Sequence, residues 1–146
     1  MKQLKYSDHL SYKYPVSIKG VVLINGQIPL LKNERNEYEL PGGKLEIDEQ
    51  PIDCVSREIA EELNIIVRVA NIIDSWLYTI TDDVRVVIIT YGCELVGNEK
   101  DLRVSSEHKE LIMVDPNEIN SLNMPERYKN SIHTWCAKNA GQEILI

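Results

Sequence analysis

The sequence predicts an α+β fold, a mixed β-sheet with helices packed against it. Three observations lead there. Two long segments rich in β-branched residues, 65–80 and 84–96, flank the short turn Thr81-Asp82-Asp83. An amphipathic helical pattern runs from Pro51 to Leu63, between strand-like segments. Strands and helices alternate without the strict strand–helix–strand rhythm of a parallel sheet.

In chain order, residues 1–14 are polar and rich in Tyr and Lys, which predicts a loose arm or an edge strand. Residues 16–24 are β-branched and read as a strand. Asn25-Gly26 follows; both residues tolerate φ > 0, so the pair predicts a hairpin turn into Ile28–Lys32. Pro29 cannot donate to a ladder, so this return strand is expected to be short or at a sheet edge. A brief strand over 38–40 is stopped by Pro41-Gly42-Gly43.

Pro51 suits the first helical position, where its missing N–H costs nothing. Ile52, Val55, Ile59 and Leu63 form one stripe, the face expected to meet the sheet. Asn64 stands where a left-handed cap residue belongs. The segments 65–80 and 84–96 predict a long hairpin with room for bulges. A further strand is expected over Glu110–Val114, a short helix over 116–122 and a longer one over 125–138, carrying Tyr128, Ile132, Trp135 and Cys136.

With 146 residues, the chain is expected to form one domain spanning 1–146, able to bury a core without disulfides or a structural metal. Hydrophobic residues at 43% and charged residues at 27% argue against disorder. A net charge of −7 argues against coating a long nucleic acid, which needs a basic surface. A small phosphorylated substrate stays open, because a divalent cation can supply positive charge. Cys54, Cys93 and Cys136 are widely spaced, with no CxxC or Cys/His cluster, so reduced thiols and cytoplasmic residence are expected. The first residues lack the apolar core of a signal peptide, and apolar runs are far too short for a bilayer span, so no membrane partner is expected.

The chemistry concentrates between Gly42 and Ile65, GGKLEIDEQPIDCVSREIAEELNI. At about 100° per residue, Glu58, Glu61 and Glu62 share one helix face, away from the apolar stripe. Three carboxylates so placed should repel one another, and no Lys stands among them. Neutralising Glu62 is therefore expected to leave the metal-free protein as stable or more so. Hard oxygen donors of this kind suit Mg²⁺ or Mn²⁺. Read by spacing alone, the cluster could equally be a solvated acidic face.

The same stretch resembles the Nudix box, the signature of the Nudix hydrolases: Gly, five residues, Glu, seven residues, Arg-Glu, aliphatic, any, Glu-Glu, any, Gly, aliphatic. Here Gly43 is followed by five residues and Glu49. Seven more lead to Arg57-Glu58, then Ile59, Ala60, Glu61-Glu62, Leu63, Asn64 and Ile65. The one departure is Asn64 in place of the second glycine. The flanks agree more loosely, through an early hairpin, Leu40-Pro41 leading into the glycines and a strand–helix–helix ending.

The resemblance implies a Nudix-type α/β/α sandwich with a mixed sheet. It implies a Nudix hydrolase cleaving phosphoanhydride bonds, a metal-dependent pyrophosphohydrolase acting on a nucleoside diphosphate linked to another moiety. It implies Glu58, Glu61 and Glu62 as ligands of Mg²⁺, or Mn²⁺, with the backbone carbonyl of Gly42 as a further ligand. Arg57, with Glu49, would orient the glutamates; an ordinary surface ion pair is the plainer reading. The general base would be Glu58 or a separate carboxylate; Glu107 in the loop Ser105-Ser106-Glu107-His108 is the candidate for that base or for a further metal ligand, a solvated loop charge being the plainer reading. Some branches of the family carry a proline marker for ADP-ribose or a tyrosine marker for dinucleoside polyphosphates. Residues 78–83 hold no proline, and Tyr78 lies too near the box, so nucleoside triphosphates, nucleotide sugars and dinucleotides stay open.

The expected partner is thus a small nucleoside-diphosphate derivative, with a second copy of the chain, as a homodimer, the one macromolecular partner admitted. Two rival readings keep the fold. One is a catalytically silent module that binds a nucleotide as a sensor. The other is a diphosphate isomerase, which needs a catalytic cysteine; Cys54 lies inside the helix and is expected to be passive.

Overall fold

A computed structural model describes residues 11–104 and 110–144. The chain runs β1 (Val16–Val22), β2 (Ile28–Lys32), β3 (Tyr38–Glu39), β4 (Gly42–Lys44), α1 (Pro51–Leu63), β5 (Val67–Thr81), β6 (Val84–Leu95), β7 (Glu110–Val114) and α2 (Glu126–Ile144). Short 3₁₀ turns fall at Glu99–Asp101 and Pro116–Ser121.

Two sheets form. The larger has the order β4-β1-β6-β5, with β1 antiparallel to β4 and parallel to β6, so it is mixed. The smaller, β3-β2-β7, is antiparallel. β1 is buried on both faces because its side chains alternate between two cores. Ile18 and Val22 join Cys54, Val55, Ile59 and Leu63 beneath α1. Val21 joins Val86, Ile88, Tyr128, Ile132 and Trp135 beneath α2. The sheet is therefore sandwiched between α1 and α2, the α/β/α arrangement expected.

The turn at Asn25-Gly26 has φ of 50° and 77°, as the dipeptide predicts. Beyond the isolated bridge between Ile24 and Gln27, however, β1 and β2 do not pair; they enter different sheets. β2 is also the middle strand of its sheet rather than an edge. Pro29 is tolerated because β3 pairs only with Leu31 and Lys32, so at Pro29 the strand has β7 alone beside it. β5 and β6 form the long hairpin, with register shifts between Val69 and Asp74 and again near its tip.

α1 has the bounds expected, and Asn64 caps it at φ 58°, ψ 35° while its N–H bonds back to Ala60 O at 3.0 Å. One residue of the expected stripe differs. Ile52 is 45% exposed, while Cys54, in the same first turn but on the side facing Gly43 and Lys44, is fully buried. Among the described residues no helix is long and apolar enough to cross a membrane.

Candidate active site

β4 was not foreseen as a strand, since two of its three residues are glycines. It forms because β1 offers a free edge: Lys44, Gly43 and Gly42 pair with Ser17, Ile18 and Lys19. This short strand carries the glycines of the box alongside the acidic face of α1. Gly42 has φ 146°, a conformation open to glycine, and a Cβ there would collide with the backbone of Ile18. A Cβ on Gly43 would overlap the Glu58 carboxyl group. Gly42 thus lets the strand lie close against β1, and Gly43 lets it lie directly against the Glu58 carboxylate.

Arg57 organises the cluster. Its Nε and Nη2 donate to Glu49 Oε2 and Oε1 at 2.7 and 3.0 Å, a bidentate pair. Its Nη1 donates to Glu58 Oε1 at 2.9 Å and lies 3.2 Å from both oxygens of Glu61. Glu46 Oε2 stands 3.7 Å from Nη2. Glu49 also accepts the N–H of Glu46 at 3.1 Å, which ties the loop to the helix. The Arg57 hydrogen bond, more than anything else, draws the Glu49 carboxyl down to about 2. The same carboxylates hold the guanidinium above its usual value.

The repulsion expected among the helix carboxylates is therefore offset by Arg57, which lies one position before Glu58 and reaches both Glu58 and Glu61. Glu62 stands apart: its Oε1 accepts the N–H of Gly42 at 2.8 Å. That charge-assisted bond opposes the expected effect, since neutralising Glu62 weakens a contact between α1 and β4. Cys54 is fully buried, and burial pushes its thiol up to about 12. Glu107 lies outside the described residues, as does His108.

On the opposite face of β1, Lys19 is 7% exposed, with its Nζ 3.9 Å from Glu39 Oε1. The sequence shows Lys19 inside a β-branched strand but carries no local signal of what it pairs with. Asn33 Nδ2 donates to Glu39 Oε2 at 3.1 Å, and Tyr78 OH donates to Glu37 at 3.1 Å, so this network joins the two sheets.

Among the described residues, no three His, Cys, Asp or Glu side chains already stand grouped around a vacant point. The reason is visible: Arg57 draws Glu58 and Glu61, and Gly42 N–H draws Glu62. The donors are nonetheless all hard oxygens. Glu61 is largely exposed, and so free to turn. That chemistry fits a divalent ion that keeps several of its waters.

A sandwich of this topology, with a guanidinium-centred carboxylate cluster against a glycine strand, defines a class of phosphoanhydride hydrolases. The NUDIX domain model matches residues 14–135, and the chain belongs to the Nudix hydrolase family. It is 33% identical over 117 residues to a MutT-like protein of Streptomyces ambofaciens, covering 79% of this chain and 72% of that one. It is 30% identical over 130 residues to an ADP-ribose pyrophosphatase of Methanocaldococcus jannaschii, covering 84% and 75%. The crystal structure of a MutT protein from Methanosarcina mazei Go1 superposes with a TM-score of 0.69 at 24% identity, covering 88% of this chain and 99% of that one.

Proposed function

We propose that the protein is a Mg²⁺- or Mn²⁺-dependent pyrophosphohydrolase. Its substrate is a nucleoside diphosphate joined to a further group, as in a nucleoside triphosphate, a nucleotide sugar or a dinucleotide. The observation that carries this reading is the carboxylate cluster of α1 packed on the β4 glycines, with Glu58 against Gly43 and Glu62 on the Gly42 N–H. The pyrophosphatase relative supports the bond type.

Glu58, Glu61, Glu62 and the Gly42 carbonyl would hold the ion. When bound, it neutralises phosphate oxygens and lowers the pKa of a coordinated water. Arg57 and Glu49 fix the rotamer of Glu58. Glu58, or Glu107 from its loop, takes the proton of the attacking water. Gly42 and Gly43 let the diphosphate approach the backbone. The whole chain, 1–146, acts as one domain. Its free cysteines, Cys54, Cys93 and Cys136, suit a reducing cytoplasm.

The test is a nucleotide library assayed for phosphate release with Mg²⁺ and with excess chelator. Activity is expected only with metal, and Glu62→Gln should lower kcat at least ~10²-fold. Undiminished turnover in chelator overturns the metal chemistry. Ligand binding without turnover, on every substrate, would make the protein a nucleotide sensor instead.

A further inference from the structure

We propose that Arg57 is a two-ended clamp whose Nη1 stands in for the metal ion between Glu58 and Glu61, and that metal entry takes Glu61 from it while Glu49 keeps it. The inference rests on the metal-dependent reading above and adds an exchange of partners that the reading does not contain.

The geometry divides the guanidinium into two unlike edges. The Nε/Nη2 edge is bidentate on Glu49, at 2.7 and 3.0 Å, and that carboxylate is only 14% exposed and braced by the Glu46 N–H. The Nη1 corner holds one oxygen of Glu58 and both oxygens of Glu61. Glu61 is 59% exposed, so its pair with Arg57 competes with water and contributes little. The two glutamates also differ from each other. Glu58 uses only Oε1 on Arg57, so it can meet a cation through Oε2 without letting go. Glu61 has both oxygens on Nη1, so turning one of them to a cation disturbs that pair.

A divalent ion offers Glu61 twice the charge of a guanidinium, so the weak, exposed pair gives way first. The strong, sheltered pair persists. Arg57 thereby keeps three carboxylates from repelling one another while no metal is bound, and stays in place to orient Glu58 once it is.

Two measurements on the full-length protein test this, with Mg²⁺ alone as the probe. The first is side-chain NMR of arginine. The Arg57 Nε–H signal should keep its hydrogen-bonded position on Mg²⁺ addition, while rotation about the Cζ–Nη1 bond becomes faster. The second is a thermal double-mutant cycle with Glu61→Gln and Arg57→Lys, and a matching one with Glu49→Gln and Arg57→Lys. In chelator the 57–61 coupling should be about 1–2 °C in Tm, and it should vanish at saturating Mg²⁺. The 57–49 coupling should be larger and survive.

If Mg²⁺ stabilises the wild type yet the 57–61 coupling and the Nη1 rotation are unchanged, the exchange is wrong and the metal reading stands. Loss of the 57–49 coupling in place of the 57–61 coupling also overturns it. If Mg²⁺ leaves the Tm and every arginine signal unmoved, both the exchange and the metal reading fall.

Discussion

At the scale of single residues, Gly43 separates function from stability. Its φ lies outside the left-handed region, so an alanine there carries no backbone strain. The atoms nearest the new methyl group all belong to the end of a flexible side chain, the carboxyl of Glu58. Gly43→Ala is therefore expected to displace that carboxylate, lowering kcat by at least ~10-fold while shifting the urea midpoint little. Steady-state kinetics beside a denaturation curve checks both halves. Glu49 gives a pH signature. Its folded pKa is about 2 against an ordinary 4.5. The native state thus binds fewer protons than the unfolded state between those values, and stability rises with pH across that window. The contribution is complete above 4.5 and is lost as pH falls through 2. Urea midpoints from pH 5 to 2 should fall more steeply for wild type than for Glu49→Gln, and equal slopes would contradict the pairing. Arg57 and Glu49 were legible in the sequence because a fixed spacing set them apart. The buried Lys19–Glu39 pair was not, because its partners meet only when β1 and β3 are brought together from separate sheets.

At the scale of elements, α1 was readable to the residue, since every device that sets its ends is local: Pro51 at the first turn, the stripe of Val55, Ile59 and Leu63, and Asn64 as the cap. Asn64 holds φ 58° and also donates from Nδ2 to Asp101 O at 2.9 Å. Alanine should lose that bond and keep the strain, costing ~1–2 kcal/mol, whereas Asn64→Gly trades bond for relief and should stay within about 0.5 kcal/mol of wild type. Thermal melts of the two variants decide the order. The elements that local sequence does not specify are those governed by neighbours. β4 contains two glycines and pairs only because β1 lies beside it. Pro29 looked like an edge signal, yet its strand is an edge only over the part that β3 fails to reach. Ile52 fits the helical period yet is 45% exposed, because periodicity picks out a face and not what covers each position on it.

At the scale of the molecule, the two cores share strands. β1 places Ile18 and Val22 under α1 and Val21 under α2, and β6 places Cys93 and Ile88 likewise on opposite sides. Neither core can open without stripping one face of the central strands, so the domain should unfold in one step. The two tryptophans make a sharp test, because Trp76 and Trp135 both lie on the α2 side. Their fluorescence should lose its native signal at the same urea concentration at which far-UV circular dichroism loses α1 and the sheet. Two separated midpoints would mean that the layers are independent.

The parallel pairing of β1 with β6 also sets an order of events during synthesis. Val16 to Val22 lie beside Val87 to Cys93, residues that leave the ribosome long afterwards. Until they do, β1 has its hairpin turn and the β4 edge to pair with, but its other edge is open and neither apolar face is fully covered. Nascent chains that have reached α1 but not β6 therefore present an unpaired, apolar strand edge to the cell, the kind of surface that recruits chaperones or seeds aggregates. Slow loop closure between such distant strands should make this pairing the late step of folding.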